Sequence, residues 1–316
     1  MWKVCWTNLA FAARSLHFYC GIDSIPGSVI VETMVRRRVA LVVAAIACVA
    51  LPSIRVSGQT VPPVDPLHAP FDEILDLYVR DGLVYYQALR ADRGKLDRYI
   101  VSLDTPNVVA AYMSWDHDQQ AAFWLNAYNA FVLRTVIDNY PIRGRASGYP
   151  SVSIRQVPGA FERLPHRATG RSVTLDAIEN TILPQFQDPR LYLALGRGAI
   201  DSPRLHSEAF SGNHLEAQLK NVAAECPTRA ECILVDPAAN QITVTPAVGW
   251  HEAEFIAVYA STNRGFPTRS PIERAVLAFI QPSLLTTERT FLEKNEFRVT
   301  YGQFDWTLND LTGRSR

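Results

Sequence analysis

The segment from Asp118 to Asn139 restricts this chain more than any other. Phe123, Leu125, Ala127, Ala130, Phe131, Leu133, Val136 and Ile137 fall on every side of a 3.6-residue period. A helix here is apolar nearly all round, so it must be buried on most of its sides by other elements. Pro141 stops it. The 316 residues, 48% apolar and 20% charged, supply the surrounding mass in globular proportions.

Helices are expected over Phe71–Val79, closed by Asp81-Gly82, and then over 91–103, 175–182, 214–224, 250–260, 271–281 and 286–294. Strands come mostly in hairpins. Leu164–Ala168 and Arg171–Thr174 turn at Thr169-Gly170, and Ile233–Val235 and Ile242–Val244 turn around 237–240. Ser151–Val157 alternates like a strand, Leu83–Tyr86 reads as a short strand or turn, and Phe297–Tyr301 reads as a closing strand. The apolar run Leu191–Leu195 fits either a buried strand or a buried helical turn. The expected fold is therefore α+β: one helix-rich domain over residues 71–312, around a long buried helix, with a small, mainly antiparallel sheet.

Ahead of it lies a segment of another kind. In 34–58 three arginines, Arg36 to Arg38, precede an apolar run from Val39 to Leu51, which Pro52 breaks before Ser57 and Gly58. A basic start, a short apolar run and a small-residue exit make a secretory signal, cleaved after Gly58. The run is shorter than the roughly 20 residues of a membrane span. Met34 then reads as the true start and 1–33 as an upstream extension. A retained anchor, or a lipid-modified Cys48, are the alternatives. Residues 59–70 hold four prolines and read as a linker.

The chain is formally neutral, but 1–58 carry six basic and two acidic groups, which leaves 25 basic against 29 acidic beyond them. A mildly acidic domain gains nothing from counterion release at phosphates, so nucleic acid is not an expected partner. No basic block remains to hold an anionic membrane, and no organic cofactor motif appears. The expected location is periplasmic or extracellular. Cys226 and Cys232 are the cysteines left in the domain, and in an oxidising compartment they are expected to form one disulfide; two free thiols are the alternative. No metal site is expected.

Five segments together resemble one family: AAFWLNAYNAFVLRTV (121–136), VTLDAIENTIL (173–183), DPRLYLALGRGAIDSP (188–203), VTPAVGW (244–250) and FDWTLND (304–310). In that order they are similar to the domain-of-unknown-function family 547, over roughly 71–310. The resemblance implies a domain boundary and no activity. It also shows a departure. Where the family usually has a His and two Cys, this chain has Tyr192, Arg197 and Ser202, so thiol or metal chemistry at those places is not expected of it.

Several residues stand out as site candidates. Trp124, Asn126, Tyr128 and Asn129 lie within two turns of the central helix, with the two asparagines on one face. A buried carboxamide left without partners costs on the order of 1–3 kcal/mol, so these must bond either to neighbouring backbone or to a ligand in a cleft. Arg197 sits in the small-residue loop 196–203, whose glycines would let backbone N–H groups approach an anion. Glu179 and His206 are candidate bases and Ser202 a candidate nucleophile, although it lacks the strained G-x-S-x-G turn. His251-Glu252-Ala253-Glu254-Phe255 opens like a zinc-protease helix, but Phe255 stands where the second His is required, and that reading fails. The expected function is a binding or scaffold domain whose cleft takes a small molecule, peptide or glycan. A hydrolase or transferase using the same cleft, with a His or Glu base, is the alternative.

Overall fold

The structure is a computed structural model that describes residues 65–262 and 265–312; the segment expected to be a signal sequence and most of the expected linker lie outside the described residues. The centre of the fold is α5, His117–Asn139, 23 residues and about 34 Å long. Its start is fixed by a reciprocal cap. Asp116 Oδ1 accepts from the Gln119 N–H at 2.8 Å, and Gln119 Oε1 accepts from the Asp116 N–H at 3.0 Å. Tyr140 is extended, as a residue before proline prefers to be, and this ends the helix. From Ala121 to Ile137 all of its side chains except that of Arg134 are buried.

Four short helices and a two-stranded ribbon cover its first side. They are α1 (Ala69–Tyr78), the pair β1 (Val79–Arg80) and β2 (Leu83–Val84), α2 (Tyr86–Ala91), α3 (Gly94–Ser102) and α4 (Pro106–Tyr112). The helix expected over 91–103 is thus α3 alone, and α4 is an addition, started by Pro106 and capped by the Thr105 hydroxyl. The expected strand at 151–157 is absent. The chain makes a single 3-10 turn over Ile154–Gln156, capped by Ser153, because Ser153 and Ile154 are both buried and strict alternation of faces fails there.

The first hairpin is β3 (His166–Ala168) with β4 (Arg171–Val173). It leads into α6 (Leu175–Ala177), which widens into a π turn over Ile178–Ile182 before Pro184. The ambiguous run becomes a buried 3-10 helix, Pro189–Ala194. After the small-residue loop come α7 (Leu215–Glu225), the hairpin β5 (Ile233–Asp236) and β6 (Gln241–Val244), then α8 (Pro246–Gly249), α9 (Glu252–Tyr259), α10 (Pro271–Ile280), α11 (Thr286–Lys294) and β7 (Arg298–Tyr301). The strands form three small sheets rather than one; β7 pairs with β6 in parallel, and all other pairings within the sheets are antiparallel. The molecule is helix-rich α+β. Buried apolar side chains from Phe71 to Leu308 form one continuous cluster. At roughly 1.5–3 kcal/mol for each large side chain removed from water, this burial is the main stabilising term. Cys226 and Cys232 are disulfide-bonded and tie the end of α7 to the start of β5.

Candidate functional site

The amide pair on α5 is built into the fold. Asn126 Nδ2 donates to the Phe210 carbonyl at 2.8 Å and its Oδ1 accepts from the Phe210 N–H at 2.9 Å. Asn129 Nδ2 donates to the Ala194 carbonyl at 3.1 Å and its Oδ1 accepts from the Gly196 N–H at 2.8 Å. Each carboxamide thus grips a passing strand of backbone at both of its ends, and the two hold the segments before and after the small-residue loop against the helix. Trp124 is also enclosed, with its indole N–H donated to the Tyr112 hydroxyl at 2.7 Å.

The loop itself turns inward. Gly198 has φ +69°, which a residue with a side chain rarely adopts. The Gly196 N–H is taken by Asn129, and the Arg197 N–H by the Ser202 hydroxyl at 2.7 Å. Two of the N–H groups expected to face an anion are therefore spent inside the protein. Ser202 Oγ donates onward to the Leu195 carbonyl at 3.2 Å, so its hydroxyl clamps the loop shut. His206 shares a small pocket with Ser202, but its Nε2 turns to Glu225, 3.6 Å away. Burial pushes the His206 pKa down, against the pull of the Glu225 charge.

Arg197 is 1% exposed and reaches across to the π turn, where its Nη2 and Nε donate to Glu179 Oε1 at 2.5 and 3.2 Å. Its Nη1 donates to the carbonyls of Tyr192 and Leu195. Glu179 has three further features. The Tyr128 hydroxyl donates to its Oε2 at 2.9 Å, His251 Nε2 donates to its Oε1 at 3.0 Å, and the site is nearly closed to water. Burial alone would push the Glu179 carboxyl up. The Arg197 charge, with the bonds from His251 and Arg197, outweighs that and holds it at about 2. His251 is in turn fixed by stacking on Tyr192, with centroids 3.5 Å apart and planes 7° from parallel. Glu179 and Arg197 thus meet in one ion pair. Sequence reasoning set His251 aside as half of a failed motif. It lies 72 residues from Glu179 in the chain, and only its place just before an apolar helix hinted at burial.

Outside this locked group lies a recess of about 250 Å³. Glu179 and Arg197 form its base, and Trp250, Trp306, Phe161, Arg155, Asp176 and Asn180 form its walls. Trp250 is 45% exposed and lies near-parallel to Trp306, centroids 6.0 Å apart at 16°. The Arg197 guanidinium sits 5.4 Å from the Trp250 ring centre. Arg155 is held between the faces of Phe161 and Trp306, at 4.2 and 4.4 Å, and donates to Glu162. Of the residues singled out in the sequence, Arg197 and Glu179 line the recess; Trp124, Asn126, Tyr128, Asn129, Ser202 and His206 do not. Both tryptophans lay in segments noted for their resemblance, yet nothing local marked them as neighbours.

Among the described residues, no group of three or more His, Cys, Asp or Glu side chains is placed to hold a metal ion, and no helix is long and apolar enough to cross a membrane. Residues 112–225 match the model of the family described as "Protein of unknown function, DUF547", which bears out the resemblance over α5, the π turn and the small-residue loop. No curated protein and no solved structure matches the chain.

Proposed function

We propose that the chain is an exported binding domain and that the recess over the Glu179–Arg197 pair is its ligand site. One observation carries this reading. The recess presents a half-exposed indole and a stacked arginine above a base whose charged groups are already mutually satisfied. Concave sites with aromatic walls and a few fixed polar groups are the usual form of a binding pocket. The hydrolase or transferase alternative has less support. No Ser, Thr or Cys lines the recess, and a carboxylate held at about 2 is a weak base at neutral pH. Export is supported by the leader's charge and apolar pattern and by the disulfide in the domain.

Two measurements test this. N-terminal sequencing of the protein recovered outside the cytoplasm should begin after Gly58. Screening small molecules, peptides and glycans by tryptophan emission should give a saturable change that Trp250→Ala abolishes. A screen in which the ligands that bind are unaffected by Trp250→Ala would place the site elsewhere and defeat the proposal.

A further inference from the structure

We infer that the recess takes an uncharged, hydroxyl-rich saccharide, with a sugar ring against Trp250 and its hydroxyls on Asp176 and Asn180. This rests on the binding reading above and names its ligand class. The first ground is shape and surface. Trp250 is almost half in solvent, with Trp306, Phe304 and Arg197 packed against the rest of it, so the recess offers exposed indole surface to the C–H face of a flat ring. The second ground is charge. Both arginines in the walls and base are already engaged, Arg197 by Glu179 and Arg155 by Glu162 and two aromatic faces. Asp176 is exposed and, among the described residues, joins no ion pair with Lys or Arg. The open charge at the rim is therefore negative. An anionic ligand would meet it with no free cation to offset it. The third ground is the polar pair. Asn180 Nδ2 donates to Asp176 Oδ1 at 2.8 Å, which leaves Asp176 Oδ2 and the Asn180 carbonyl as acceptors side by side, one turn apart. Two adjacent acceptors and a spare amide hydrogen suit the neighbouring hydroxyls of a sugar.

The test uses the purified mature protein with hexasaccharides of β-1,4-linked glucose and of N-acetylglucosamine, a hexamer of galacturonic acid, and a pool of neutral hexapeptides. Tryptophan emission and titration calorimetry are the readouts. At least one neutral saccharide should bind saturably and at least tenfold more tightly than the uronic acid hexamer. Trp250→Ala and Asp176→Ala should each weaken that binding about tenfold or more, with melting temperatures within a few degrees of the parent, since both side chains are on the surface. Tighter binding of the uronic acid hexamer, strengthened by Asp176→Asn, overturns the saccharide class while leaving the binding site in place. Saturation by the peptide pool with the sugars silent does the same. Silence from all four probes overturns the saccharide inference; the wider binding proposal is then judged separately, by whether any other ligand gives a Trp250-dependent signal.

Discussion

Removing the Arg197 guanidinium should be among the most damaging single changes in this protein, and removing Glu179 with it should be less damaging than the two separate losses imply. Arg197→Met keeps the length and apolar stem of the side chain but leaves a carboxylate in a site nearly closed to water, with only His251 and Tyr128 to bond it. Breaking one side of a buried pair in this way costs about 3–5 kcal/mol. The carboxyl itself gives a similar figure. It is held at about 2 against an ordinary 4.5, and at about 1.4 kcal/mol per unit this amounts to about 3 kcal/mol of preference for the ionised form in the fold. Glu179→Gln should cost a comparable amount, because Arg197 would keep its charge with only neutral acceptors around it. In Arg197→Met/Glu179→Gln no unpaired charge remains. The double variant should fall short of the sum of the singles by at least about 2 kcal/mol. The assay is equilibrium urea unfolding at pH 7, followed by near- and far-ultraviolet circular dichroism. With a slope of about 2.5 kcal/mol per molar, a loss of 4 kcal/mol moves the midpoint by about 1.6 M. Arg197→Lys should recover only part of the loss, since a point charge cannot serve Glu179 and two carbonyls together. Single variants that each lose under about 1 kcal/mol, or a double equal to their sum, would refute the view of this pair as a mutually dependent buried unit.

Acid should unfold the domain in two windows. His68 and His166 are each pushed down to about 4 by burial, so both stay neutral in the fold while the unfolded chain takes up protons below about 6.5. Their contribution is complete above pH 6.5 and is lost as pH falls to 4, about 3 kcal/mol for each; that of Glu179 is complete above about 4.5 and is lost as pH falls through 2. His166→Phe, which keeps the stack on Phe131, should roughly halve the loss across the first window in a plot of unfolding free energy against pH, leaving the part due to His68, and an unchanged slope would contradict this. Asn126→Ala and Asn129→Ala should each cost about 1–3 kcal/mol by stranding a buried N–H and a buried carbonyl, read as lower urea midpoints; wild-type midpoints would show the amides are not structural. Gly198→Ala forces a positive φ and sets its Cβ 3.3 Å from Val132, so it should lower the melting temperature by a few degrees, measured by calorimetry.

What the sequence settled by itself is local in character. The apolar girdle of α5 foretold a central buried helix because periodicity alone shows that no face can be left in water. Thr169-Gly170 and the 237–240 turn foretold two hairpins, since the turn residues and the strands they join are adjacent. The structure also answers which of two partners the paired amides have: it gives both of them backbone. Ser153 and Ile154 show where local pattern misleads, because both are buried and the alternation of a strand is broken by packing. The site lay beyond such reading. Glu179, Arg197 and His251 come from a π turn, a small-residue loop and the start of α9, and Trp250 and Trp306 are brought near-parallel from segments 56 residues apart. An ion pair or an aromatic wall is a relation between places in space. Chain-local spacing carries no record of it, and only the closing of the fold around α5 decides which charges meet and which ring is left facing water.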